Sequence, residues 1–224
     1  MLRVMMETVE ITTADSALTD NEVISRVLRG ERHLFEIIMR RNNQRLFRAA
    51  RAIVKDDDEA QDVIQEAYVR AYTHLGEFRG EAQLSTWLCR IAVHEALARV
   101  RRAGRLEPIE EGEELEGPIM ARDPEEATSD DELRVLLEEA VDALPEVFRT
   151  VFVLRAVEQM STLEVAEALS VPEDTVKTRL FRARGLLRQA LLLKLEDTET
   201  KAFQFLGTRC DRVVAAVLAR ITTH

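Results

Sequence analysis

The sequence predicts an all-α protein of two small helical domains, a four-helix domain and a helix-turn-helix domain, joined by an acidic flexible linker. Three observations carry that prediction. Apolar residues recur at helical spacing along most of the chain, and no stretch shows the period of two that a half-buried strand requires. Glycine and proline gather between Gly104 and Pro124, where the helical periodicity lapses. Charge is divided unevenly: the 224-residue chain has a formal net charge of −10, yet residues 106–132 hold twelve carboxylates against Arg122, a net of −11 that leaves the remainder at +1. A chain of this length can bury two cores, whereas the acidic run is too charged and too broken to bury one. The resulting divisions are an N-terminal tail over 1–18, a first domain over 19–105, the linker over 106–131, a second domain over 132–195 and a C-terminal amphipathic extension over 196–224.

Thr19 and Glu22 have capping-box spacing ahead of Val23, Ile24, Val27 and Leu28, and Gly30 supplies a stop, so a short helix opens the first domain. A longer helix from about His33 turns Leu34, Ile37, Ile38, Leu46, Ala50 and Ile53 inward and its arginines outward. The run Asp56, Asp57, Asp58 and Glu59 sits where carboxylates cap free amides and favour the positive end of the helix dipole, which starts a third helix over roughly 58–74. Gly76 and Gly80 interrupt it before a fourth helix over about 85–102, with Trp87, Ile91 and Ala98 on one face. Trp87 reads chiefly as a core residue, since a lone Trp spaced i, i+4 from an apolar residue is generally packing. Beyond the linker, periodicity resumes at Leu133, meets Pro145, and continues into two short helices around 162 and 174. A polar break at "EDTETKA" then precedes a last amphipathic helix with Val213, Val214, Val217, Leu218 and Ile221 on one side.

Because the linker supplies the acidity, a pI near 5 leaves nucleic-acid binding open. Residues 40–55 contain six basic side chains and no acid, and Arg99, Arg101, Arg102 and Arg105 cluster at the end of the first domain. Cys89 and Cys210 lie far apart without the companions of a zinc site or disulfide framework, which suits a reducing cytoplasm. The four histidines lack metal spacing, and no Gly-rich phosphate loop, nucleophile elbow or carboxylate pair is present. The expectation is a cytoplasmic protein that is not an enzyme, with no catalytic residues, metal or cofactor and no membrane insertion, because no stretch has spanning length.

The stretch "STLEVAEALSVPEDTVKTRLFRARGLLRQAL" reads as a helix-turn-helix. Ser161 and Glu164 form a capping box, Ala166 is small where a second helix must cross closely, Val171 plugs the corner and Pro172 opens the second helix. Ser170 stands where this turn favours glycine. On the second helix Val176, Leu180, Ala183 and Leu187 form the packing stripe. Lys177, Arg184 and Arg188 flank it on one side, Arg179 and Arg182 on the other, and Asp174, Thr178, Phe181 and Gly185 form the outer crest. Such a helix suits a major groove, its edges meeting phosphates and its crest meeting base edges. The plainer alternative is a solvated basic face on a core helix.

Taken together, "DEAQDVIQEAYVRAYTHLGEFRGEAQLSTWLCRIAVHEALARVRR" and "ALPEVFRTVFVLRAVEQMSTLEVAEALSVPEDTVKTRLFRARGLLR" resemble the second and fourth conserved regions of the sigma-70 family of bacterial transcription initiation factors. The resemblance is to its small two-domain extracytoplasmic-function (ECF) class and covers about residues 20–195. It implies a factor that binds core RNA polymerase and directs it to promoter DNA, both duplex and melted single strand, as a monomer when free. An anti-sigma factor is the further partner that the family commonly has.

The resemblance assigns residues as well. Asp62, Gln65, Glu66 and Arg70 match the helix that docks on the polymerase. Phe78, Arg79, Ser85 and Thr86, on a glycine-bounded loop, match the base pocket and strand contacts of the segment that melts the minus-ten element, with Arg90, Arg101 and Arg102 on backbone phosphates. His94 replaces the asparagine usual in the family at a base contact. Thr175, Lys177, Thr178, Arg179 and Arg182 match the helix that reads the minus-thirty-five element. Arg149 follows the family's pattern at Leu144 and Pro145. Phe203, Phe205 and the 213–221 stripe exceed the two-domain plan and read as a fold-back on the second domain or a docking helix for a regulator; Cys210 reads as a buried thiol before a redox sensor. The runner-up function is a stand-alone helix-turn-helix repressor or activator whose first domain dimerises or senses a ligand.

Overall fold

The structure is a computed structural model that describes residues 15, 17–105 and 129–201, and every regular element among them is helical. Most of the linker, the Cys210 thiol and the 213–221 stripe lie outside the described residues.

Helix α1 (Asp20–Leu28) starts from the expected capping box: the Thr19 amide donates to the Glu22 carboxylate at 2.8 Å, and the Glu22 amide donates back to the Thr19 hydroxyl. Gly30 ends the segment at φ +110°, a conformation that a side chain rarely adopts. A 3₁₀ turn over Arg32–Leu34 leads into α2 (Phe35–Val54), which closes on Lys55 in the left-handed region. Asp56 accepts from the Glu59 amide at 2.8 Å and opens α3 (Asp57–Thr73). After a second 3₁₀ turn over Leu75–Glu77 comes α4 (Leu84–Arg102). Leu34, Ile38, Leu46, Leu75 and Leu88 are among the large side chains that fill the centre of this four-helix unit. Phe35 and Tyr68 meet edge to face at 6.2 Å, and the Tyr68 hydroxyl donates to the Met39 carbonyl.

The fourth helix faces the core differently from the expectation. Leu88, Cys89, Ala92, Val93, Ala96 and Val100 are buried, whereas Trp87, Ile91 and Ala98 are only half-buried at the margin. Small residues on the buried stripe let α2 and α3 approach closely, and the larger Trp87 closes the edge against the Phe78 ring at 5.5 Å. The expected face followed the largest side chains, while packing selected the small ones.

In the second half α5 (Ser129–Asp142) meets Pro145, and α6 (Glu146–Phe152) runs into a π turn over Val153–Val157. Helix α7 (Thr162–Leu169) and α8 (Glu173–Lys201) follow. Two expectations give way here. The last helix is 29 residues long rather than short, and its backbone runs through "EDTETK", where a polar break is expected. Asp197, Thr198 and Thr200 are weak helix formers, but each costs only a fraction of a kcal/mol and the run carries neither glycine nor proline, so a helix already nucleated by its packed first turns continues through it.

The two halves meet across a shared core. Ala49, Ile53, Val93, Ala96 and Val100 of the first cluster with Val151, Leu154, Met160, Val165, Ala168 and Val176 of the second. Arg149 crosses the junction: 3% exposed, it donates to the Ala52 carbonyl at 2.7 Å and to the Leu144 carbonyl at 2.8 Å. Ala52 lies in the last turn of α2, where carbonyls have no partner within the helix and a cation meets the negative end of the dipole.

Candidate nucleic-acid interface

The basic helix is presented by the turn that precedes it. Ser161 and Glu164 form the reciprocal cap on α7, with the Ser161 amide donating to the Glu164 carboxylate at 2.6 Å. Ser170 turns the chain in the left-handed region at φ 55°, where glycine is the usual residue, and the Val171 amide donates to the Ala166 carbonyl at 3.0 Å. Ala166 is buried at the crossing, and Val176, Ala183 and Leu187 bury the packing stripe of α8 as read from the sequence.

That seating fixes the outward face. Lys177, Thr178 and Arg182 are exposed, and Thr175 and Arg179 are half-buried beside them. Lys177 is paired with Asp174 at 2.9 Å, which raises the lysine above its ordinary range and lowers the carboxylate below its own. The Thr178 hydroxyl donates back to the Asp174 carbonyl at 2.9 Å, leaving its oxygen lone pairs for a donor outside the helix. Phe181 is 80% exposed at the middle of the crest, a position for which solution offers an aromatic ring no benefit. Helical spacing puts Phe181 on the crest, and its signal in the sequence is a large apolar residue three places beyond Thr178 on a polar face.

The candidate strand-contact residues fall into three groups. Phe78 and Arg79 stand between the second 3₁₀ turn and α4, with Arg79 exposed. Arg101 and Arg102 are exposed at the end of α4. Between them Ser85 and Thr86 belong to the first turn of α4 rather than to a loop, and this stretch faces α7. Thr86 is 3% exposed and hydrogen-bonds the Glu164 carboxylate, Ser85 accepts from Arg45 at 3.1 Å, and Arg90 pairs with Glu167 at 2.9 Å. His94 meets the Ala168 carbonyl. Partial burial there lowers it below the ordinary histidine value, the Arg90 charge adds to the effect, and the hydrogen bond opposes it.

On α3, Asp62, Gln65, Glu66 and Arg70 are exposed while Val63, Ala67 and Ala71 are buried, which is the division that the helical spacing predicted. Asp62 pairs with Arg99 and Arg70 with Glu95, each at 2.7 Å. Val69, 64% exposed, lies in the same stripe four residues beyond Gln65 and joins the exposed face, a position that its i+4 spacing in the sequence marks. Val69 is thus a large apolar side chain left in solvent on the same face as these charged ones.

Among the described residues no group of histidine, cysteine and carboxylate side chains could hold a metal ion, and no helix is long and apolar enough to cross a membrane. Burial pushes the Cys89 thiol up to about 12, which keeps it protonated and inert.

Comparison with known proteins bears on this geometry directly. Residues 38–106 match the family model of sigma-70 region 2, and residues 134–187 match that of sigma-70 region 4. The chain is 35% identical over 180 residues to the RNA polymerase sigma-H factor of Pseudomonas aeruginosa, covering 77% of this chain and 93% of that one. It is 31% identical to the ECF RNA polymerase sigma factor SigW of Bacillus subtilis, covering 75% and 94%. Among solved structures, CnrH in complex with the cytosolic domain of CnrY is similar, with a TM-score of 0.52, 25% identity and coverage of 77% and 96%. The sigma factor RpoE in complex with the anti-sigma factor NepR from Bartonella quintana shares the fold at a TM-score of 0.53, with 21% identity and coverage of 70% and 96%.

Proposed function

The chain belongs to the sigma-70 family, in its ECF class, and from that premise we propose how its surfaces divide the work of transcription initiation. It binds core RNA polymerase in the cytoplasm and directs it to specific promoters; the polymerase supplies the catalysis, and this chain contributes none. The observation that carries the reading is the outward face of α8. Its exposed Lys177, Thr178 and Arg182 surround Phe181 on a helix that a capped turn holds at right height for a major groove. Arg182 and Lys177 donate to guanine edges or phosphates of the minus-thirty-five element, and Phe181 packs on thymine methyl groups.

The first half melts the minus-ten element. Phe78 and Arg79 take an unstacked base, and Arg101 and Arg102 hold the backbone, which makes binding steeply salt dependent. Ser85, Thr86, Arg90 and His94 can join them only when α7 leaves α4, since Thr86 is covered and Arg90 is paired to Glu167. Docking on the polymerase through Asp62, Gln65, Glu66, Val69 and Arg70 fixes the first half, and the acidic tether sets the effective concentration of the second at its own element. The −11 tether also discourages the free protein from residing on DNA.

Run-off transcription with core polymerase on a promoter library tests the reading. Start sites should appear only when this chain is added and should share two separated elements. A preparation that fails to bind core polymerase, or that dimerises and binds duplex DNA alone, would instead support the stand-alone helix-turn-helix regulator.

A further inference from the structure

Helices α3 and α4 face each other across a cleft of about 850 Å³ whose sides carry opposite charge. Glu59 and Glu66 line the α3 side, with Asp62 between them on the same helical face, and Arg99, Arg102 and Arg105 line the other. Among the described residues three ion pairs join the two sides. Arg105 meets Glu59 at 2.6 Å, Arg99 meets Asp62 at 2.7 Å and, with the polarity reversed, Arg70 meets Glu95 at 2.7 Å. The Arg99 pair differs from the others in where its members stand. Asp62 belongs to the face assigned above to polymerase docking. Arg99 shares the last turn of α4 with Arg101 and Arg102, the residues assigned to the strand backbone, at the end where the helix dipole favours cations.

We propose that Arg99 is a third strand-holding cation, kept in reserve by Asp62 and released when a cation of the polymerase takes that carboxylate. The inference rests on the docking and strand roles proposed above and couples them. The pair is a single contact, from Arg99 Nη2 to Asp62 Oδ2, and its side chains are 34% and 58% exposed. A single-contact pair in solvent is weak and exchanges partners readily. Of the charged docking residues, Asp62 alone has an arginine to release: Glu66 meets no cation among the described residues, and Arg70 would bare a carboxylate, Glu95, instead.

An arginine relieved of its carboxylate neutralises a phosphate and releases the counterions condensed there. Linkage makes the coupling reciprocal, so docking tightens strand binding and strand binding tightens docking by the same factor.

The full-length chain is titrated into an end-labelled oligo(dT) single strand and followed by fluorescence anisotropy at several salt concentrations. Asp62→Asn should bind about two- to fivefold more tightly than the parent, with a salt slope steeper by about 0.7. Asp58→Asn removes the same charge from the same helix at a residue that pairs with no arginine among the described residues, and it should gain neither. Adding Arg99→Ala to Asp62→Asn should abolish the gain. Against core polymerase, Arg99→Ala alone should bind about two- to fivefold more tightly, because Asp62 has lost its competitor; a merely structural role for Arg99 would not produce that sign. Asp62→Ala repeats the oligonucleotide titration without an amide, and circular dichroism verifies that the helices persist in each variant. The proposal is overturned if neither Asp62 variant gains over Asp58→Asn, if the gain survives Arg99→Ala, or if Arg99→Ala binds polymerase no better than the parent. Run-off transcription by the parent separates the two failures: a parent that starts no RNA removes the proposed function, whereas one that starts RNA without this exchange removes only the role of Arg99.

Discussion

Two helix faces in this molecule are rich in arginine, and the structure puts them to opposite uses. On α2, Arg51 is drawn between Asp57 at 2.6 Å and Asp142 at 2.8 Å, and Arg45 and Arg48 approach the buried Glu158. On α8, Arg182, Arg184 and Arg188 are exposed, and Lys177 pairs with its near neighbour Asp174 at 2.9 Å. From the sequence the α2 run was the denser of the two, with no acid among residues 40–55. Some of its acids are near, Asp57 for Arg51 and Glu36 for Arg40, but Asp142 and Glu158 come from about 90 to 110 residues later, a distance over which charge counting has no information. A basic run therefore indicates a nucleic-acid surface only after the acids that fold onto it have been subtracted.

The comparison breaks most sharply at Arg149, which serves the α2 side from the second half. Arg149→Ala removes the donor to the Ala52 and Leu144 carbonyls and leaves both buried, so it should destabilise the protein by about 2–4 kcal/mol. Urea unfolding followed by circular dichroism measures this. A loss under about 0.5 kcal/mol would mean that water replaces the guanidinium and that the junction is looser than its burial indicates.

Arg182→Ala probes the solvent side. It should weaken binding of the holoenzyme to its upstream element by about 1–3 kcal/mol and lower the salt slope by about one, without changing the unfolding midpoint or the affinity for core polymerase. Loss of polymerase binding in a folded variant would contradict the proposed division of labour. Arg149→Ala and Arg182→Ala thus exchange signatures, one moving stability and the other DNA affinity.

Glu158 sharpens the α2 side further. Its side chain is buried, one carboxylate oxygen lacks a hydrogen-bond partner, and the nearest guanidinium atoms are 3.6 and 3.7 Å away. Burial raises its pKa above the ordinary carboxylate value, and the pull of Arg45 and Arg48 only partly offsets that. A carboxyl whose folded pKa is raised binds its proton more tightly in the native state. Its contribution is therefore best below the ordinary carboxylate range and is lost as pH rises through the raised value. Glu158→Gln should then be more stable than the parent at pH 7, by about 1 kcal/mol, with the difference vanishing near pH 4. A variant less stable at pH 7 would show that the arginine pairs outweigh the cost of burial.

Much of this architecture was legible from sequence because it is written in local chemistry. The caps at Thr19, Asp56 and Ser161 and the α8 stripe of Val176, Ala183 and Leu187 all depend on residues within about two turns of one another. The outward face of α8 and the exposed residues of α3 followed from the same spacing. What was not legible depends on partners far along the chain. The buried face of α4 was set by small residues whose role appears only once α2 and α7 lie against them, and the covering of Thr86 needed the position of α7. Arg149 had no readable destination, because a carbonyl at the end of another helix leaves no mark in the sequence.

The smallest expected effect isolates backbone from charge. Ser170 sits at φ 55° and ψ 45°, closing α7 with its amide directed at the Ala166 and Glu167 carbonyls, and its own Cβ is crowded in that conformation. Ser170→Gly relieves the crowding but gives the unfolded chain more freedom to lose, so the two contributions largely cancel and a gain of about 0.5 kcal/mol remains. Ser170→Val, branched where the left-handed region tolerates it least, should lose more than glycine gains. Neither change touches a cation, so the salt slope of promoter binding should stay at the parent value in both while stability moves in opposite directions. A change in that slope would mean that the turn also sets how deeply α8 enters the groove, tying the solvent-facing arginines to the backbone that carries them.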